Sequence, residues 1–406
     1  MEFKIGNIPV GQLAKDFGTP LYVYDQAQIE KNIEDLKSVL TYPRLKLLYA
    51  CKANTNLEIL KVVKAHGLGI DAVSMGEVFL ALKTGFKPQE ILFTGDNSTE
   101  EEIAYCMENN VPLNIGSLFQ LELFGKNYPG KEVLFRVNPD VGAGHHDHCI
   151  TGGPESKFGI YIHQAEEAKK IAARYNLKIK GIHSHIGSGI LDTDVFMQAM
   201  NIVLDEAKYF PDLDIIDIGG GIGIPYAAGV APINLAELGE RITSRMLQFS
   251  KEYGKEVDLY MEPGRFIVGN AGYVLAQVVN KKETPKYQFL GVNTGFNHLV
   301  RPAFYGSHHQ IFNGSRMDSK EMEEVLVAGN LCESGDIFTK VDGKNAPYAI
   351  AKAEYGDILV IREAGAYGFA MSSNYNSRLK PAEVLVGGNQ ARLIRKRQTL
   401  DDLLEG

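Results

Sequence analysis

The sequence is poor in cysteine. Cys51, Cys106, Cys149 and Cys332 are its only four in 406 residues. They lie far apart and no two form a C-x-x-C pair, so neither a zinc ribbon nor a disulfide framework is expected. A chain of this length buries a core large enough to be stable without metals or cross-links. The thiols are therefore expected to be reduced, as in a cytoplasmic protein. No apolar run is long enough to cross a bilayer. The opening segment MEFKIGNIPV, Met1 to Val10, has no basic stretch leading into an apolar one, so no signal peptide is expected. Positive charge is not in excess either: 42 Lys and Arg stand against 50 Asp and Glu, a formal charge of −8. Nucleic acid and anionic membranes demand a basic surface, so neither is expected as a partner. A local basic pocket for a small anion remains compatible with that balance.

What is present is a regular alternation. Hydrophobic residues make up 45% and charged residues 23% of the chain, the balance of an ordinary globular protein of about two or three domains. LYVY (Leu21 to Tyr24) reads as a strand closed by Asp25, and Gln26 to Val39 has helical spacing at Ile29, Ile33 and Leu36. Short apolar strands then alternate with helices: KLLYA (Lys46 to Ala50), GIDAV (Gly69 to Val73), Ile91 to Phe93, Leu113 to Ile115, Glu132 to Val137, Lys180 to His185, Ile215 to Ile218 and Asp258 to Met261. Strands this short and apolar belong to a parallel sheet covered by helices on its outer faces. Eight strand–helix units over roughly 250 residues fit a closed β/α barrel better than an open doubly wound sheet. The glycine-rich segment also comes late and does not read G-x-G-x-x-G. After about Asn270 helical periodicity fades and short alternating segments with Gly and Asn turns predict an antiparallel β domain. The expected division is a barrel over 26–270 and a β-barrel domain made of 1–25 and 271–406.

Four clusters sit just past predicted strand ends, where a β/α barrel carries its active site. Lys52, in YACKANTN, follows KLLYA; partly desolvated there, its amine is free to form a Schiff base, the alternative being a solvated surface lysine. His185, in GIHSHIGSG, offers a ring to stack on a flat ligand or to act as a base, or else is a bonded core histidine. Gly187, Ser188 and Gly189 beside it offer N–H and hydroxyl groups to an anion. GGGIG (Gly219 to Gly223) allows backbone N–H groups to converge on a phosphate, although glycine runs also make plain tight turns. EPGR (Glu262 to Arg265) sets a carboxylate and a guanidinium side by side, for a ligand with a basic nitrogen and an anionic group or for a salt bridge. An aldimine lysine, a phosphate cradle and a carboxylate for a ring nitrogen together describe pyridoxal 5′-phosphate.

YACKAN, HIGSG, GGGIG, EPGR and the later CESGD, in that order, resemble the fold-type III pyridoxal-phosphate decarboxylases. The resemblance runs from FGTPLYVYD to the C-terminal LIRKRQTLDDLL. It implies that Lys52 is the Schiff-base lysine and that His185 stacks on the cofactor ring. It implies that Ser188, Gly220, Gly221 and Gly264 hold the phosphate, with Tyr375 of MSSNYNSR reaching it from the β domain. Glu262 would meet the pyridine nitrogen and Asp71 would lie near the ring. Arg265, Arg301 and Tyr305, the last two in RPAFYG, resemble substrate-carboxylate contacts, with Tyr375 nearby. Cys332 and Glu333 resemble the pair that enters the site from the partner subunit of a homodimer, the cysteine to protonate the carbanion and the glutamate to meet the far amino group. Glu333 with Arg301 and Tyr305 implies a substrate with an amine and a carboxylate at its far end. Meso-2,6-diaminopimelate fits, decarboxylated to L-lysine and CO2 in the last step of lysine biosynthesis.

The alternatives are a decarboxylase for D-ornithine, D-lysine or a carrier-bound amino acid, a racemase, or a non-enzymatic cofactor-binding regulator. A racemase would place an arginine at the ring nitrogen, against Glu262. A regulator would have lost Lys52 or Cys332. Two departures from the family pattern stand out: the loop Asp140 to Ser156 with its His145, His146, Asp147 and His148, and VNTGFN, where an aspartate is expected near Thr294. Four adjacent residues rarely converge on one ion, so no metal is expected from that loop.

Overall fold

The computed structural model describes residues 1–138, 156–185 and 187–404. The histidine-containing loop and its possible metal ligands lie outside them. The chain divides into two compact units. One comprises Met1–Lys31, Pro225–Val230 and Ile267–Gly406, the other Asn32–Ile224 and Ala231–Phe266. The strand LYVY, β1 (Leu21–Asp25), belongs to the first of these.

The second unit is built on eight parallel strands: β2 (Leu45–Ala50), β3 (Gly69–Ala72), β4 (Ile91–Phe93), β5 (Asn114–Ile115), β6 (Glu132–Asn138), β7 (Lys178–His183), β8 (Ile215–Asp217) and β9 (Asp258–Met261). Each pairs with the next in sequence, and β9 pairs back onto β2. Between β4 and β5 the seam is a single parallel bridge, Phe93 to Leu113. The ring is therefore closed, and the unit is the β/α barrel expected.

Local chemistry explains why the chain turns after each strand. Asn56, Ser74, Thr99, Ser117, Asp192 and Asn234 each accept a first-turn N–H of the helix that follows. Each such cap is worth about 1 kcal/mol and fixes where a helix begins. Thr99 and Glu102 complete a reciprocal capping box. Inside the barrel one layer is apolar: Leu48, Leu92 and Leu134 are buried together, with Ile215 and Tyr260 packed on them. Toward the carboxyl ends the buried side chains become polar: Asp71, Thr94, His183, Asp217 and Glu262. Buried polar groups are costly unless paired, so this change of composition marks a site rather than a core.

The other unit is a mostly antiparallel sheet. Its strands are β1, β10 (Gly272–Glu283), β11 (Gln288–Val292), β12 (Ile311–Asn313), β13 (Met322–Ala328), β14 (Tyr348–Ala351), β15 (Ile358–Ile361), β16 (Ala382–Gly387) and β17 (Gln390–Arg395). Two pairings are parallel, β11 with β13 and β1 with β16. Neither pair is joined by a hairpin turn, so nothing local imposes an antiparallel direction. Leu21, Val23, Leu275, Val360 and Val384 supply its core. Strands β12, β16 and β17 are not evident in the sequence.

Candidate active site

Strand β2 ends at Ala50, and Cys51–Ala53 form one turn of 3-10 helix that carries Lys52 just past the strand end. The Lys52 Nζ lies 3.2 Å from Oδ2 of Asp71. The Lys52 side chain is 38% exposed and Asp71 fully buried. The amine is partly desolvated, as expected from its place past the strand end, and it also has a carboxylate partner. The Thr94 hydroxyl donates to the other Asp71 oxygen. Burial and the nearby Glu262 raise the Asp71 carboxyl, while Lys52, Thr94 and His183 pull against them.

Strand β7 ends at His183, two residues earlier than expected, which leaves His185 beyond it. Desolvation and the charge of Lys52 hold the His185 imidazole down to about 3. It is a neutral ring at pH 7. A neutral ring suits stacking on a flat ligand and makes a poor acid at that pH.

The glycine loops after β7 and β8 are laced together: Ile190 N donates to Gly221 O and Gly223 N to Ile190 O, both at 2.9 Å. Glycine is required at two positions. Gly219 has φ +66, and a Cβ there would stand 2.9 Å from His185 Nδ1. A Cβ on Gly220 would stand 2.5 Å from the Glu262 carbonyl oxygen. The result is a stretch of bare backbone of the kind that phosphate binding uses. Ser188 accepts at Oγ from Arg265 Nη2 at 3.1 Å. A Cβ on Gly264 would be 2.9 Å from that of Ala50, so the EPGR turn packs directly on the Lys52 turn.

Glu262 follows β9 and is buried. Burial works to raise its carboxyl, but the neighbouring His183, whose Nε2 stands 3.4 Å from Oε1, and the Lys52 charge outweigh it and hold it well below the usual range. It is an anion. The barrel mouth thus brings together Lys52, Asp71, His185, Ser188, Gly220, Gly221, Glu262, Gly264 and Arg265. The sequence reading missed Thr94, Asn114, Arg136, His183 and Asp217. Arg136 pairs with Asp96 and lies 4.2 Å over the Phe158 ring. The signal was a polar residue near the end of an otherwise apolar strand, as in LFRVN and IIDI.

The β-sheet unit holds the remaining predicted residues. Arg301 is buried in the short helix Arg301–Tyr305, its guanidinium 4.9 Å over the Tyr226 ring and 5.9 Å from that of Tyr305. Its Nη2 donates to Ser307 Oγ at 3.2 Å. Cys332 and Glu333 are exposed. Asp336 of the same CESGD turn accepts Phe296 N at 2.7 Å and Leu331 N at 2.9 Å, tying this turn to VNTGFN. The Cys332 N–H donates to Asn376 Oδ1 at 2.8 Å, and Tyr375 stacks on Phe296 at 5.7 Å. Cys332, Glu333 and Tyr375 therefore share one neighbourhood. Thr294, where an aspartate was expected, is buried with its hydroxyl 2.9 Å from His298 Nδ1.

Residues 26–269 match the family described as pyridoxal-dependent decarboxylase, pyridoxal binding domain. The chain is 43% identical to the diaminopimelate decarboxylase of Methanothermobacter thermautotrophicus, covering 99% of this chain and 94% of that protein. It is 38% identical to the diaminopimelate decarboxylase of Escherichia coli K12, covering 97% and 94%. The crystal structure of diaminopimelate decarboxylase from M. jannaschii in complex with L-lysine superposes with a TM-score of 0.90 at 34% identity, covering 99% and 95%.

Proposed function

The chain belongs to the diaminopimelate decarboxylases of the pyridoxal-dependent decarboxylase family, and we propose that it converts meso-2,6-diaminopimelate to L-lysine and CO2 with pyridoxal 5′-phosphate as cofactor. The observation that carries this reading is the company Lys52 keeps: a reachable amine, a bare glycine loop and a buried carboxylate held as an anion, all at the strand ends of one barrel.

The residues present fit the cofactor. The Lys52 amine would hold its aldehyde carbon, and the backbone of Gly220, Gly221 and Gly264 with Ser188 would take its phosphate, joined by Tyr375. Glu262 would face its ring nitrogen and Asp71 would lie near the ring. When bound, pyridoxal phosphate supplies a protonated pyridine ring that accepts the electron pair left behind as CO2 departs. Glu262, as an anion, keeps the proton on that nitrogen. His185 presents a neutral face that competes for no proton. The Lys52 amine, when not joined to the cofactor, would be held as an ammonium by Asp71. Arg301 grips the distal carboxylate with two parallel N–H groups, which a guanidinium alone provides. Tyr305 and Arg265 complete the carboxylate contacts, and Glu333 meets the distal ammonium. Cys332 returns one proton to the carbon that lost CO2, so that substrate and one proton become lysine and CO2.

Cys332 and Glu333 act in the site of a partner subunit, which makes the working unit a homodimer. A barrel domain over 26–270 carries the cofactor, and a β domain of 1–25 and 271–406 completes the site. No helix among the described residues is long and apolar enough to cross a membrane. Cys51, Cys106 and Cys332 are free thiols, in keeping with a cytoplasmic location.

The test is direct. Purified protein with pyridoxal phosphate and meso-diaminopimelate is expected to yield one lysine per CO2, with D-ornithine and D-lysine inert. The variant K52A should lose both turnover and the cofactor's bound absorbance band. Lysine formation by K52A at the wild-type rate, or none by the wild type, overturns the reading.

A further inference from the structure

The Glu262 carboxylate is backed by two buried groups that the chemistry above leaves without a task, His183 and Asp217. They face each other in register on β7 and β8, and Asp217 in turn pairs with Tyr260 of β9, two residues before Glu262. One side-chain atom from each of the three lies within 4.8 Å of the others. Two carboxyl groups so close in a dry interior are not both ionised.

The hydrogen bonds decide where the protons sit. The Asn114 amide nitrogen lies 2.9 Å from His183 Nδ1, which makes Nδ1 the acceptor and leaves the ring proton on Nε2. That nitrogen is 3.4 Å from Glu262 Oε1. Asp217 Oδ1 takes the Gly219 N–H at 2.8 Å. Its Oδ2 is buried and met by no hydrogen-bond donor among the described residues, the setting of an oxygen that carries its own proton. Burial and the Glu262 charge both push the Asp217 carboxyl upward, in agreement.

We propose that His183 and Asp217 are positioning residues that keep Glu262 ionised and aimed, His183 through the proton on Nε2 and Asp217 as an uncharged acid donating to the same carboxylate. This rests on the reading of Glu262 as the partner of the cofactor's ring nitrogen. Without the two donors the Glu262 carboxylate would be held less firmly as an anion and would compete for the proton it is meant to leave on the ring.

The experiment uses the holoenzyme loaded with pyridoxal phosphate and follows the visible cofactor absorbance against pH, alongside kcat and KM. D217N should keep the wild-type absorbance profile, since its amide offers the same uncharged donor. D217A and D217L, the latter filling the space without a donor, should displace the profile. They should lower kcat about ten- to a hundredfold, the effect of one lost hydrogen bond to a charged group, with KM little changed. H183Q should track the wild type and H183A should follow D217A. A purely structural role would lower the folded fraction by circular dichroism without moving the pH profile. D217N behaving like D217L overturns the proposal, because it would mean that a charged Asp217 is needed. An unmoved profile in both H183A and D217L also overturns it. E262Q separates the two levels: if it leaves the profile unchanged, the reading of Glu262 itself fails. If E262Q moves the profile and the His183 and Asp217 variants do not, only this inference fails.

Discussion

The Asn376 side-chain oxygen holds the backbone N–H of Cys332 at 2.8 Å, one residue beyond Tyr375. A single hydrogen bond thus ties the turn of the proposed proton donor to that of the proposed phosphate contact. Asn376 itself has φ +56, a conformation that asparagine and glycine tolerate. N376G keeps that backbone and removes the bond. It is expected to lower kcat about five- to tenfold, as the loss of about 1 kcal/mol implies, with cofactor absorbance unchanged in the same preparation.

Cys332 and Lys52 are proposed to serve one site from two subunits. K52A and C332A homodimers should each be nearly inactive. Mixed in equal amounts under exchange conditions, half of the dimers are heterodimers, and each of these has one intact site. Activity should then recover to about a quarter of the wild-type value, a statistical expectation for paired sites. No recovery, with exchange verified by mass, would place both residues on one chain.

Arg301 is buried, with its guanidinium near two tyrosine rings and its Nη2 donating to Ser307 Oγ. R301K keeps the charge and loses the fork. Its KM for meso-diaminopimelate is expected to rise at least tenfold, about 1.5–3 kcal/mol, while cofactor binding stays as in the wild type.

A Cβ on Gly220 would meet the Glu262 carbonyl oxygen at 2.5 Å, a backbone atom that no rotamer change can move aside. G220A should weaken pyridoxal phosphate binding at least tenfold, about 1.4 kcal/mol, in an equilibrium titration, with far-UV circular dichroism unchanged.

Glu206 lies far from this chemistry in sequence and is buried, its Oε2 without a hydrogen-bond partner among the described residues. Burial and the neighbouring Asp205 raise its carboxyl to about 8. A folded value above the unfolded one favours the native state at low pH, and that contribution disappears as pH rises from about 4 through 8. E206Q should therefore come close to the wild type near pH 5 and exceed it by about 4–5 kcal/mol near pH 9, read as a higher Tm at that pH.

What could be seen in the sequence was what is local. The barrel's alternating strands and helices are each specified by a short apolar run and a capping residue, so most were legible. Lys52, His185 and Glu262 could be found because each follows a strand end within a recognisable motif. His183 and Asp217 fall inside the expected strands Lys180 to His185 and Ile215 to Ile218; what sets them apart is facing Glu262 across neighbouring strands, a relationship that no window of sequence contains. Strand β16 went unseen because Glu383 interrupts its apolar run. That buried acid is satisfied by the Tyr24 hydroxyl at 2.7 Å and by Arg395, and Tyr24 lies 359 residues away. The end of β7 was placed two residues late because HSH continues the pattern of the strand without its hydrogen bonds.

The pairing of β1 with β16 orders events on the ribosome. One edge of LYVY is covered by β10 and the other only by β16, from far later in the chain. At 5–20 residues per second that second edge waits roughly 20–70 s after Tyr24 is made. Throughout that interval the nascent chain offers an open row of backbone donors and acceptors, closed only when translation is nearly done.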